Sequence, residues 1–159
     1  MTTYESMSPA SRVWIYQSNQ PFVVEEVSEV NGQIENFVTH WVSHNRALKG
    51  FGKLFHRRFI VLMVDETQAG ASGCSIDKSV HFIKAMGHHH GMDFFDRMNF
   101  AFQKENEIRT AHRDEFASLY QKGIINDATL VFDNLVKTKA DFEQKWVLPL
   151  RDSWHARMV

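Results

Sequence analysis

The densest chemistry in the chain lies in residues 70–77, Gly-Ala-Ser-Gly-Cys-Ser-Ile-Asp. They follow an apolar run, residues 58–64, that reads as a buried strand, and they open an amphipathic segment that reads as a helix. A glycine-rich turn at such a junction gathers backbone N–H groups, a small nucleophile and a carboxylate at the positive end of a helix dipole. Cys74 is the sole cysteine. At or near an N-cap its thiolate would be stabilised. A nucleophilic cysteine also needs a base or a cation beside it. Asp77 and His155 are the partners nominated, with His112 ranked beside His155. The same loop could instead cradle an anion, with Gly70, Gly73, Cys74 and Ser75 supplying N–H groups. The structural alternative makes Cys74 a small buried residue at a tight turn, with Ser75 and Asp77 capping and charging the helix start.

Other constellations are weaker. His88, His89 and His90 break the helical pattern, and adjacent side chains on a turning segment diverge. No HExxH and no Cys/His pair at zinc spacing occurs, so metal binding there is expected to be adventitious at most. His40 and His44 are spaced i, i+4 but lack a third ligand. Lys53, His56, Arg57 and Arg58, with Phe51 and Phe55 interleaved, read as a solvated strand end rather than a nucleic-acid surface. The carboxylates are scattered and form no acid/base pair. A phosphate loop of the G-x-x-x-x-G-K-[ST] type is missing. The only Gly-Lys pair, Gly52-Lys53, has Ala47 where the first glycine belongs and Leu54 where the hydroxyl belongs. Nothing calls for a cofactor.

These residues need elements to position them. Residues 12–17 are β-branched and aromatic and read as a strand. Val23, Val27, Val30, Ile34, Phe37 and Trp41 form one helical stripe, predicting a helix over about 21–44. Residues 45–53 read as a connection and 55–65 as a strand. Its apolar run 59–64 belongs in the middle of a sheet covered on both sides. Ile76, Val80 and Ile83 predict a second helix to about Met86, with Gly87 just past its end. A hairpin follows, 98–103 and 107–112 around a turn at 104–106. Residues 114–122 read as a helix closed by Gly123, and 129–132 as a strand. Thr138 and Asp141 frame the start of a helix toward Trp146. Pro149 is expected to end regular structure, and the Trp154-His155 tail to pack on the body or on a symmetric partner.

The fold expected is a single α+β (or α/β) domain, residues 11–159, behind a flexible arm, residues 1–10. A central mixed sheet of about five strands would be covered by a long N-terminal helix and two to three shorter helices. At 159 residues with 43% hydrophobic content the chain can bury a real core. A net charge of −1 argues against non-specific binding to nucleic acid or to an anionic membrane. The polar N-terminus lacks a signal-peptide pattern, and the apolar run 59–64 is too short to span a bilayer, so the cytoplasm is the expected location. Four Trp and thirteen Phe suggest a heavily aromatic core, or else an aromatic binding surface.

Five segments, Ser11-Arg12-Val13-Trp14-Ile15-Tyr16-Gln17, Arg58-Phe59-Ile60-Val61, Gly73-Cys74-Ser75-Ile76-Asp77, Asn134-Leu135-Val136-Lys137-Thr138-Lys139 and Ser153-Trp154-His155-Ala156-Arg157, carry a resemblance over about residues 11–157. The chain resembles a family of short bacterial proteins commonly labelled "ABC transporter ATPase". The resemblance implies a cytoplasmic bacterial protein and carries no activity with it. The label would require a Walker A loop and an LSGGQ-like segment, and the sequence has neither. The leading functional expectation is a non-enzymatic binding or interaction domain that meets another protein or itself. The alternative is a small enzyme or an anion- or small-ligand-binding protein that uses Cys74 in the 70–77 loop.

Overall fold

The computed structural model describes residues 2–159. In chain order its elements begin with β1 (Arg12–Gln17), α1 (Val27–Thr39), β2 (Val42–Ser43), β3 (Arg46–Ala47), β4 (Lys49–Phe55), β5 (Phe59–Asp65) and α2 (Gly73–His90). They continue with β6 (Asn99–Lys104), β7 (Glu107–His112), α3 (Arg113–Gln121), β8 (Leu130–Phe132), α4 (Lys139–Lys145) and β9 (Val147–Pro149).

The architecture grows outward from β5, whose seven residues are all buried. Side chains alternate across a strand, so one such strand serves two cores. Ile60, Leu62 and Val64 pack against Val30, Ile34, Val38, Ile83 and Met86 of α1 and α2. Phe59, Val61 and Met63 turn the other way, onto Ala101, Phe132, Phe142 and Trp146. Burying aliphatic and aromatic side chains of this size contributes about 1.5–3 kcal/mol each. β5 is the central strand of an antiparallel sheet ordered β1-β5-β4. A second antiparallel sheet, β7-β6-β8-β9, lies beyond it. Phe100, Phe102 and Val131 on that sheet are sealed by Phe116 of α3, Ile125 and Leu150. The layers therefore run helices, sheet, sheet, helix.

The fold is α+β, but one central mixed sheet is not what forms. Three small sheets do, and every strand pairing among the described residues is antiparallel. The source of the error is residues 45–53, which pair instead of connecting. β4 folds onto β5 through a three-residue turn, residues 56–58, in which His56 and Arg57 are left-handed (φ 54° and 56°). Left-handed hairpin turns ordinarily announce themselves with Asn-Gly or Asp-Gly. The β2–β3 ribbon turns on two residues, His44 and Asn45, also left-handed.

The helices also differ from expectation. The first is shorter than 21–44: a 3₁₀ turn, Val24–Glu26, precedes α1, and α1 stops at Thr39 where the chain enters the ribbon. The second extends to His90 and is capped by the left-handed Gly91. Gly87 does not end it. A Cβ there would lie 2.6 Å from the Met92 carbonyl oxygen, so Gly87 admits the returning chain. After Pro149 two more 3₁₀ turns form, Leu150–Asp152 and Trp154–Met158. The hairpin β6–β7, the left-handed Gly123 and the Thr138 cap on Asp141 N–H match their sequence signals.

Residues 2–10, expected as a loose arm, lie against the body. Met7 is buried, and the Lys139 ammonium donates to the Tyr4 and Met7 carbonyls at 2.9 Å each. Ser8 N–H donates to the buried Asp65 carboxylate at 3.0 Å. Burial alone would raise the Asp65 pKa. The Ser8 and Thr67 donors and the Lys49 ammonium outweigh it and hold the group at about 2. No helix among the described residues is long and apolar enough to cross a membrane.

Candidate functional site

The 70–77 loop does open a helix. Ser72 is the N-cap of α2: its Oγ accepts the Ser75 N–H at 3.2 Å, and its own N–H donates to Ser75 Oγ at 2.7 Å. Ala71 N–H donates to Glu66 Oε2 at 2.8 Å. Three of the loop's N–H groups are thus held by the chain's own oxygens, one of them a carboxylate. Cys74 is exposed in the first turn, which corrects its reading as a small buried residue. Gly70, Gly73 and Asp77 are exposed, and Ser75 is buried, its carbonyl accepting Trp41 Nε1–H at 2.8 Å.

His155 lies in a different layer. α2 covers the outer face of the first sheet, whereas His155 is packed against Phe100 and Phe116 of the second sheet and its cover. The structure does not bring Cys74, Asp77 and His155 together. His112 is exposed at the end of β7, His44 sits in the ribbon turn, and His40 Nδ1 bonds the Asn36 carbonyl at 2.8 Å. Of the basic cluster, Lys53, His56 and Arg57 are exposed, as a solvated strand end requires, and Arg58 is buried; Arg57 donates to the Phe22 carbonyl at 3.0 Å, and partial burial lowers the pKa of His56.

A cleft of about 600 Å³ instead opens beside β1. β1 pairs with β5 on one side only. On its outer side Val13 N–H donates to the Lys137 carbonyl at 3.0 Å, and Lys139 N–H donates to the Ser11 carbonyl at 2.9 Å. These bonds close one end of the cleft. The other end is latched by Gln17, whose Nε2 donates to the Asn99 carbonyl and whose Oε1 accepts from Asn134 Nδ2, both at 2.9 Å. Backbone direction repeats every second residue along a strand. Ile15 therefore aims its N–H and carbonyl the same way as Val13, into the cleft, and no strand among the described residues pairs with that edge at Ile15.

The walls are aromatic, with Trp14, Tyr16, Phe100 and Trp154 among them, and His155 at the back. His155 is 1% exposed and stacks on Trp154 at 3.8 Å. Its Nδ1 lies 2.6 Å from Ser153 Oγ. That oxygen also accepts the His155 backbone N–H. His155 Nε2 has no partner among the described residues. Burial drives the imidazole pKa down to about 4, against a smaller upward pull from Asp133. The ring is thus neutral at neutral pH. Ser153 and His155 form a nucleophile-and-base pair by type, but Ser153 is buried, caps the last 3₁₀ turn and is not part of the cleft wall.

The rim carries Arg12, Arg97 and Lys137 against one carboxylate, Asp96. Arg12 lies over the Trp14 ring at 4.8 Å and 3.8 Å from Glu66. The arrangement can hold a ligand by two fixed backbone groups, one imidazole nitrogen, aromatic faces and cations. His155, nominated from the sequence as a partner of Cys74, lines this cleft instead, beside Ile15, Arg97 and Gln17, which sequence reasoning did not single out. A signal was present: three of the five segments carrying the family resemblance, residues 11–17, 134–139 and 153–157, contribute to this one cleft. No family model, curated protein or solved structure matches the chain.

Proposed function

We propose that the chain is a non-enzymatic binding domain that holds a small molecule in the cleft between β1 and the C-terminal turn. The observation that carries this reading is His155 Nε2, without a protein partner, and the unpaired edge of β1 at Ile15, both at one cleft. Both are open to hydrogen bonds from a ligand. A cavity of about 600 Å³ suits a compact molecule. Hydrogen bonds latch both ends, which leaves no passage for a polypeptide strand laid along β1. The ligand that fits has a planar apolar body, for the aromatic walls, and an anionic group, for Arg97 and Lys137. The 70–77 loop supports the rival anion site less well, because its Ala71, Ser72 and Ser75 N–H groups are taken and the Glu66 carboxylate already stands at it. A cytoplasmic setting accords with the single cysteine and with the resemblance to a short bacterial family.

Tryptophan fluorescence and thermal unfolding with indole-3-acetate and benzoate, each against its neutral amide, test the reading. Saturable quenching and a raised Tm are expected for the acids. Ligand at 100 times its Kd stabilises by about 2.7 kcal/mol. The double variant Arg97→Gln/Lys137→Gln should weaken the acids and spare the amides. If no acid shifts the Tm at millimolar concentration, or the variant treats acids and amides alike, the ligand class assigned here is wrong.

A further inference from the structure

A second polar cluster joins α1 to the end of α2. His88, His89 and His90 lie not on a turning segment but in the last turn of a helix packed beside α1. Across from them, Glu26, Glu29 and Gln33 recur at spacings of three and four, which places them on one helical face. Glu29 Oε1 lies 3.6 Å from His89 Nε2. His90 Nδ1 lies 3.3 Å from Glu26 Oε2, and its Nε2 lies 2.9 Å from the Gln33 terminal amide. One ligand atom from each of Glu29, His89 and His90 lies within 4.8 Å of the others.

We propose that Glu29, His89 and His90 form a binding site for a divalent transition-metal ion of the zinc type. Two imidazoles and a carboxylate are a donor set that zinc accepts with a fourth position open. Such nitrogen-rich ligation favours zinc, cobalt or nickel over magnesium or calcium. The rigid and the adaptable parts are divided sensibly. The His90 side chain is 4% exposed and meets the Phe22 ring edge-on at 5.4 Å, so its ring is fixed. Glu26 holds Nδ1–H, which leaves the Nε2 lone pair as the ligand, and a carboxylate behind a ligating histidine both orients it and raises its basicity. Gln33 Oε1, now 2.9 Å from Nε2, gives way to the ion. His89 and Glu29, 61% and 56% exposed, have the freedom to close the last distance. At bond lengths of about 2.0–2.1 Å, tetrahedral ligand atoms stand roughly 3.4 Å apart. Rotation of two surface side chains covers that contraction without moving either helix. His88, exposed beside them, is not part of the set.

The test uses the full chain, stripped with chelator and titrated with Co²⁺ while its visible absorption is followed, then with Zn²⁺ in competition. One Co²⁺ per chain should bind saturably and be displaced by Zn²⁺. His89→Gln and Glu29→Gln, both at exposed positions that leave the core intact, should each weaken binding at least about tenfold, by analogy with the loss seen when lesser partners of a metal are removed. His88→Gln should leave the affinity unchanged. The proposal is overturned if Co²⁺ fails to saturate below millimolar concentration. It is equally overturned if Glu29→Gln has no effect, or if His88→Gln costs as much as His89→Gln, which would mark a loose surface histidine tract.

Discussion

Mild acid should destabilise this protein through His155. The imidazole is 1% exposed among Phe100, Phe116 and Trp154, and burial lowers its pKa from 6.5 to about 4. The unfolded chain therefore binds the proton more readily than the folded one between those values. A histidine held neutral by burial leaves stability intact above about 6.5 and erodes it as the pH falls toward 4. The full gap is worth about 3 kcal/mol, and about 2 kcal/mol of it is lost between pH 7 and pH 5. In a chain of this size that corresponds to a drop in Tm of about 4–8 °C. Urea unfolding at the two pH values, for the wild type and for His155→Gln, measures it. Glutamine can bond Ser153 but does not titrate, so the variant should lose about 2 kcal/mol of the pH dependence. His56, also lowered by burial, leaves a smaller residual slope. Equal pH dependence in the two proteins would refute the reasoning, because it would mean the imidazole reaches water in the folded state.

Two glycines should respond with opposite sign. Gly32→Ala in α1, where an added Cβ meets nothing within 4 Å, should stabilise by about 0.5–1 kcal/mol, whereas Gly87→Ala must displace the Met92 carbonyl and should cost about 1–3 kcal/mol; chemical denaturation of both decides it. Asp65→Asn should cost about 1–3 kcal/mol at pH 7, and it should remove the part of acid unfolding that the wild type shows as the pH falls from the ordinary aspartate range toward 2. Cys74 should react with a disulfide reagent in the native protein without unfolding, and its alkylation should leave ligand binding in the β1 cleft unchanged.

Periodicity carried the parts of the fold that one segment decides alone. The apolar run of β5 announced a strand buried on both faces, and Val30 and Ile34 marked the inner stripe of α1. The hairpin that joins β4 to β5 stayed hidden. His56 and Arg57 give no hairpin signal, yet their left-handed backbone converts an apparent loop into β4 and replaces one wide sheet with a narrower one. The cleft was out of reach for a related reason. An unpaired strand edge exists only relative to a sheet, and Ile15 looks like any other apolar residue until its neighbours are known. The 70–77 loop was read correctly as a helix start, but the sequence does not show that Glu66 and Ser75 would take up the Ala71 and Ser72 N–H groups.

The two faces of β5 are completed at very different moments of synthesis. Its α1-facing side finds Val30, Ile34 and Val38 already made, while the opposite side waits for Phe132, Phe142 and Trp146 to leave the ribosome. At about 5–20 residues per second that delay is on the order of ten seconds, during which Phe59, Val61 and Met63 remain bare on a nascent chain. A chaperone that shields this strip, or slow translation that prolongs its exposure, would govern how much protein a cell recovers, with no change in the stability of the finished molecule.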